Sequence, residues 1–183
     1  MTALAGRRPY LIWFSWHSTV IKFRLYRDGG GMEHKVYVIG GEDDEMVSFE
    51  QSESGRNCRL VCKVRDETHF AEEPDYFEAL RTIRRRGLEP LGLIPFCYGA
   101  SLKIWPSGMA RDMGQGLKAY KIEIGSPAVE LVGIFDSGPD IIPAKVDMQE
   151  AYAKEWLASF RKKLPKPNLA NRLRNWLGSS QDR

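Results

Sequence analysis

Apolar side chains recur at every second residue through much of the first 66 positions, and this alternation does most to limit what the chain can fold into. In "VIKFRLYRD" (Val20 to Asp28), Ile21, Phe23 and Leu25 fall on one side, with Val20, Lys22, Arg24 and Tyr26 on the other. A period of two describes a half-buried strand with one wet face. "DGGG" (Asp28 to Gly31) is a hairpin turn, because glycine takes positive φ at little cost, and "HKVYVIGG" is the return strand. Beyond an acidic turn at Glu42 to Glu45, "MVSFEQ" and "CRLVCKVRD" form a further pair across "SESGRN". Taking "YLIWFSW" (Tyr10 to Trp16) as the opening strand, this region reads as a five-stranded antiparallel meander.

The period changes at Pro74. Tyr76, Phe77, Leu80, Ile83 and Leu88 fit one helical stripe, with acidic residues at its start and Arg81, Arg84, Arg85 and Arg86 at its end, the order the helix dipole favours. Gly87 either ends this helix or interrupts it. The arginine run is expected to be a solvated helix end rather than a phosphate-binding patch. "LIPFCYGAS", "LKIW" and "LKAYKIEIG" read as β, the last setting Leu117, Ala119, Lys121 and Glu123 against Tyr120, Ile122 and Ile124. "VELVGIFD" fits either a strand or a short helix. A helix follows in "VDMQEAYAKEWLASFRKKL", with Asp147 as its N-cap and Tyr152, Trp156, Leu157 and Phe160 as its stripe. "PKP" breaks it, and "NLANRLRNWLGSS" has a short amphipathic period through Leu169, Leu173, Trp176 and Leu177. The fold class expected is α+β, a mainly antiparallel sheet packed against one or two helices. Residues 1–164 form the single domain, and 165–183 a basic helical tail.

Charge separates the two parts. Ala151 to Arg183 carries eight Lys/Arg against two Asp/Glu, whereas the other 150 residues carry 19 against 22. A basic surface suited to nucleic acid is therefore confined to the tail. There, Lys162 to Lys166, Arg172 and Arg174 interleave with Trp156 and Trp176, a mixture suited to phosphate contact and base stacking. The alternative is a helix docked on its own domain through Leu and Trp, with its basic residues in water. Arg7 and Arg8 precede an apolar run of only seven residues without a small-residue cleavage site, which predicts neither a secretory leader nor a membrane span and places the protein in the cytoplasm. Three cysteines, an odd number, argue against a disulfide framework. Cys58 and Cys62 lie on one face of a strand, roughly 13 Å apart by strand rise, too far for a disulfide.

His17, His34 and His69 lack a second ligand at metal spacing, and the chain has no HExxH, Walker loop or GxSxG elbow. Neither a metal nor a cofactor is expected. Cys97 falls in the apolar "IPFCYG", where desolvation makes a thiol unreactive. Ser107 in "PSGMARD" has no local histidine to activate it. An enzyme on this sequence would have to gather Arg111, Asp112, Asp136 and Asp140 around one pocket, although "DSGPD" is also a plain turn composition. Pro106 to Gly116 is long for a connection between strands. "SGMARDMG" within it suits a single helical turn capped by Ser107, with Arg111 and Asp112 pointing apart. The stretch reads first as a structural signature at a sheet corner, then as a binding loop, and only then as catalytic.

The motifs "YFEALRTIRR", "GLIPFCYGAS", "WPSGMARDMGQGLKAY" and "IFDSGPDIIPA" occur between Tyr76 and Phe160. This stretch, nearly half the chain, resembles a family of small uncharacterised bacterial proteins sharing a YGAS…WPSGMARDMGxGLKAYK block. The resemblance implies an immunity protein of a toxin-linked locus, with the cognate toxin as partner and no membrane role. Such a protein needs a rigid surface rather than a catalytic set. Trp105, Met109, Arg111 and Met113 are side chains that interfaces favour, and with Asp112, Asp136 and Asp140 they form the expected binding set. The basic tail suits a basic nuclease target poorly.

Overall fold

The computed structural model describes residues 32–43 and 45–163. The expected hairpin through Val20 and Asp28, the opening strand and the tail after Leu164 lie outside the described residues. Within them, β1 (Glu33–Ile39), β2 (Met46–Ser54), β3 (Asn57–Val64) and β4 (Glu67–Glu73) form an antiparallel meander. The short β5 (Ile94–Pro95) joins β1 on the other side, in the order β4-β3-β2-β1-β5. Val36 lies opposite Val47, Phe49 opposite Cys62 and Leu60 opposite Ala71, so one face collects the buried residues of all four long strands. A slip of one residue would turn that whole set to water.

The strand β4 has no counterpart in the sequence reading. "ETHFAEE" carries no run of alternating apolar residues, and Ala71 alone on it joins the buried core. It pairs because a two-residue loop, Arg65–Asp66, folds it straight back on β3. Arg65 adopts φ +51 there, as such tight hairpins require, and its guanidinium grips the carboxylate of Glu45 through two hydrogen bonds of 2.9 and 3.1 Å. A charged strand at a sheet edge also discourages pairing with other chains.

Across the buried face lies α1 (Tyr76–Ile83), whose expected stripe of Tyr76, Phe77, Leu80 and Ile83 is fully buried. Gly87 does not end it. The chain widens into a π-turn at Arg84–Leu88, continues as a 3-10 turn at Glu89–Leu91 and closes at Gly92 with φ +78. A Cβ on Gly87 would lie 2.6 Å from the His69 ring on β4, so the bare backbone here is what allows the helix to press on the edge strand. Gly87→Ala is expected to cost about 1–3 kcal/mol by overpacking. Urea denaturation should show that cost shrinking in a His69→Ala background, whereas an equal cost in both backgrounds would mean the ring is not the obstacle.

The arginine run divides, contrary to the expectation of a solvated end. Arg85 and Arg86 are exposed, but Arg84 is completely buried and Arg81 nearly so. Arg84 follows Leu80 by one turn and so continues the apolar stripe. Its Nη1 donates to Gly99 O at 2.9 Å and to Gln149 Oε1 at 2.8 Å, and its Nη2 donates to Ala144 O. Burial pulls its pKa down to about 10. Gln149 in turn donates through Nε2 to the carbonyls of Gly99, Ser101 and Ile104. These two side chains thus satisfy buried carbonyls of a segment with almost no regular structure, where unpaired acceptors would be costly.

That segment leads into a second sheet, β6 (Ile104–Trp105), β7 (Lys118–Lys121) and β8 (Leu131–Gly133), in that order. "VELVGIFD" is therefore a short strand. The alternation expected through "LKAYKIEIG" is interrupted: Ala119 and Ile122 are both buried, while Ile124 is exposed. The last element, α3 (Val146–Lys163), begins one residue before the expected cap. Asp147 lies inside its first turn and pairs with Arg85 at 2.9 Å, and the Val146 N–H donates to Glu89 Oε1. Its buried positions are Val146, Gln149 and Ala153 rather than the aromatic stripe; Leu157 is exposed. The described fold is α+β, as expected.

All three cysteines are free and buried. Burial raises the thiol of Cys62 to about 12 and that of Cys97 to about 11, which keeps both in the unreactive thiol form at pH 8. Cys58 is raised too, by burial and by the carboxylates of Asp75 and Glu53. In thiol titration at pH 8, the native protein should react at least tenfold more slowly than the urea-unfolded chain, which should release all three; prompt reaction of a native thiol would contradict this packing.

Candidate functional site: the surface carried by α2

The long connection after Trp105 holds a helix, α2 (Gly108–Gly114). The Ser107 hydroxyl caps it, accepting from Ala110 N–H at 3.1 Å, so this serine has a structural task of the kind its sequence context suggested. At the other end Gln115 takes φ +50 and Gly116 φ +69. A Cβ on Gly116 would lie 2.6 Å from Asp75 Oδ1, so glycine meets two requirements there, a left-handed backbone and a close approach. The Gln115 carbonyl accepts from Tyr76 N–H at 2.8 Å, and its side-chain amide donates to Glu53.

Asp75 is the hub beneath α2. It is buried, and its Oδ1 accepts from Glu78 N–H at 2.8 Å, capping α1. Its Oδ2 accepts from Arg111 Nη1 at 2.9 Å, and the same nitrogen reaches Glu78 at 3.3 Å. Arg81 donates to both Glu78 oxygens and to Glu150 on α3. Trp105 lies between the two cations: Arg81 is 5.1 Å and Arg111 5.6 Å from its ring centroid, and Phe77 meets it edge-on at 5.5 Å. Each such cation–π contact contributes roughly 0.5–2 kcal/mol depending on desolvation. Aromatic rings, guanidinium groups and carboxylates thereby lock α2 onto the start of α1.

What remains outward is small and specific. Met109 and Met113, one turn apart and therefore on one face, are 72% and 82% exposed. Asp112 beside them is also exposed. Arg111 and Asp112 point apart, Arg111 inward and Asp112 to solvent.

The other candidate residues are elsewhere. Asp140 accepts from Tyr98 Oη at 2.8 Å and pairs with Lys121 at 2.8 Å, and Lys121 also reaches Glu130 and lies over the Tyr98 ring. The hydrogen bonds donated by Lys121 and Tyr98 hold the Asp140 carboxyl below its ordinary range, and those that Lys121 donates to Asp140 and Glu130 raise its ammonium. Asp140 and Lys121 line an apolar recess of about 530 Å³. Asp136 contributes its backbone carbonyl to Tyr98 N–H and lines a different, open recess with Glu130 and Lys118. Among the described residues, then, Trp105, Met109, Arg111, Asp112 and Met113 are brought together on and under α2, while Asp136 and Asp140 flank Tyr98 and line neither the same recess as each other nor one with Arg111.

No group of three His, Cys, Asp or Glu among the described residues is placed to hold a metal ion, and no described helix is long and apolar enough to cross a membrane. Of the tail's aromatics, Trp156 is engaged with the domain: its indole N–H donates to Ser126 O at 2.9 Å and its ring meets Phe160 edge-on. Comparison with protein-family models and with curated proteins finds no match.

Sequence reasoning passed over Asp75 and Glu78 and read Arg81 only as part of a basic helix end. A signal was present for the first two, since Asp75-x-x-Glu78 before an apolar period has the form of a capping box. Nothing local marks Tyr98, Lys121 or Gln149, whose partners lie as far as 42, 23 and 65 residues away respectively.

Proposed function

We propose that this chain acts by binding another protein, as an immunity protein that neutralises a cognate bacterial toxin. The observation that carries the reading is the division of labour in "WPSGMARDMGQG": Trp105, Ser107, Arg111 and Gly116 each have a partner in the domain, which leaves Met109, Asp112 and Met113 presented on a clamped support. Methionine adapts its shape to a partner at low cost, and a preorganised helix loses little freedom on binding. The resemblance of this block to the immunity-type family supports the choice of toxin as partner.

Co-expression with a toxin-like product encoded beside this chain tests the reading. Restored growth and a complex that survives gel filtration are expected; unprotected cells and separate elution would overturn it. The double substitution Met109→Asp/Met113→Asp is expected to weaken the complex by at least tenfold. Because both positions are exposed, the unfolding midpoint in urea should barely move.

A further inference from the structure

Among the described residues the two sheets end in β4 and β5, and in β6 and β8. Three of these edges are protected. The edge at β4 carries Glu67, Glu72 and Glu73, and β5 is two residues long and ends in Pro95, which has no N–H to offer. At β6 the Ile104 carbonyl is taken by Gln149 Nε2. The edge at β8 has no such device.

Lys121 N–H donates to Glu130 O and Ile134 N–H to Leu117 O, so in this antiparallel register residues 130, 132 and 134 turn their backbone groups to β7. Those of Leu131 and Gly133 therefore point to the free edge. The Gly133 carbonyl accepts from Asp136 N–H at 3.2 Å, but the Leu131 N–H, the Leu131 carbonyl and the Gly133 N–H have no partner among the described residues. The side chains there are apolar and open: Val129 is 83% and Leu131 45% exposed. An open recess of about 740 Å³, lined by Leu131, Val132 and Gly133, keeps the edge accessible.

The stretch is complementary to itself. With two copies antiparallel about a two-fold axis at Leu131, each Leu131 exchanges both backbone hydrogen bonds with its counterpart, and each Gly133 N–H faces the Val129 carbonyl of the other copy. Leu131 then stands opposite Leu131, with the other copy's Val129 on the diagonal, so the exposed apolar pair is covered. No like charges are opposed, since Glu130, paired with Lys121 at 3.0 Å, faces Val132. An axis at Val132 would instead set Val129 against Phe135, where the chain has already turned.

We infer that two copies of this chain associate edge to edge through β8, which joins their three-stranded sheets into one of six strands. This does not depend on the toxin reading. Sedimentation equilibrium of the full chain tests it: the average mass should rise with concentration from that of a monomer to that of a dimer. Leu131→Pro removes an N–H that β7 does not use, so the circular dichroism should be unchanged while the dimer weakens by about tenfold or more. A native chain still monomeric at about 1 mM would overturn the inference, as would a dimer that Leu131→Pro leaves intact. Leu131→Cys gives a second reading without proline. In a hydrogen-bonded antiparallel pair the two Cα atoms lie about 5.5 Å apart, within disulfide range. The native cysteines are buried, so mild oxidation should link chains carrying Leu131→Cys into dimers about tenfold faster than chains carrying Thr68→Cys, an exposed position on the acidic β4 edge. Equal rates would equally overturn it.

Discussion

Arg84→Ala is expected to remove roughly 3–5 kcal/mol of stability, the range for breaking a buried, hydrogen-bonded charge site. The side chain is wholly buried, and its loss leaves Ala144 O without its Arg84 donor and removes one of two side-chain donors to Gly99 O. Gln149 would lose the partner of its Oε1. For a domain of this size the melting temperature should fall by about 10 °C or more. Arg84→Met separates the causes, since it keeps most of the apolar stem but supplies no donor. It should recover part of the loss and stay at least 1 kcal/mol below the native protein. A methionine variant as stable as the native chain would mean that these hydrogen bonds contribute nothing net, a result known for some buried charges.

Asp75→Ala is expected to cost about 2–4 kcal/mol, from two sources that can be separated. About 1 kcal/mol is the N-cap of α1. The remainder is the half-buried Arg111, left with Glu78 as its one carboxylate partner and with α2 held less firmly beneath. Asp75→Asn keeps an oxygen for the cap while weakening the pair with Arg111, so its loss should fall between. Hydrogen exchange adds a spatial readout: amides of α2 should open in Asp75→Ala well before those of β2 and β3. A total cost below 1 kcal/mol, or α2 exchange unchanged, would show that α2 is held from elsewhere.

The parts of this fold legible in the sequence are those with a short period and local partners. The strands at Met46–Ser54 and Asn57–Val64, the helix at Tyr76–Ile83 and the Ser107 cap are all decided within about ten residues of chain. The strand at Glu67–Glu73 was not legible, because its pairing comes from a tight turn and a neighbour's edge rather than from its own apolar residues. The buried Arg84 illustrates a different limit. A run of three arginines looks like a solvated end by composition, yet at 100° per residue the first of them stays in line with Leu80 while the next two rotate out to water. Its acceptors at Gly99 and Ala144 are 15 and 60 residues away, and nothing local announces them. The candidate site divides in the same way. Residues 105–116 were recognisable as a unit, but Asp75, the carboxylate that holds them, lies 36 residues before Arg111.

In the function proposed, α2 presents the binding surface while the arginine, tryptophan and carboxylate contacts beneath it only hold that surface in place. Cell survival under toxin co-expression, compared for the native chain and for Met109→Asp/Met113→Asp at equal protein levels, tests it most directly. Protection by the native chain and its loss in the double variant, with urea midpoints that agree, is the result this account predicts. A double variant that folds and protects as well as the native chain would contradict it.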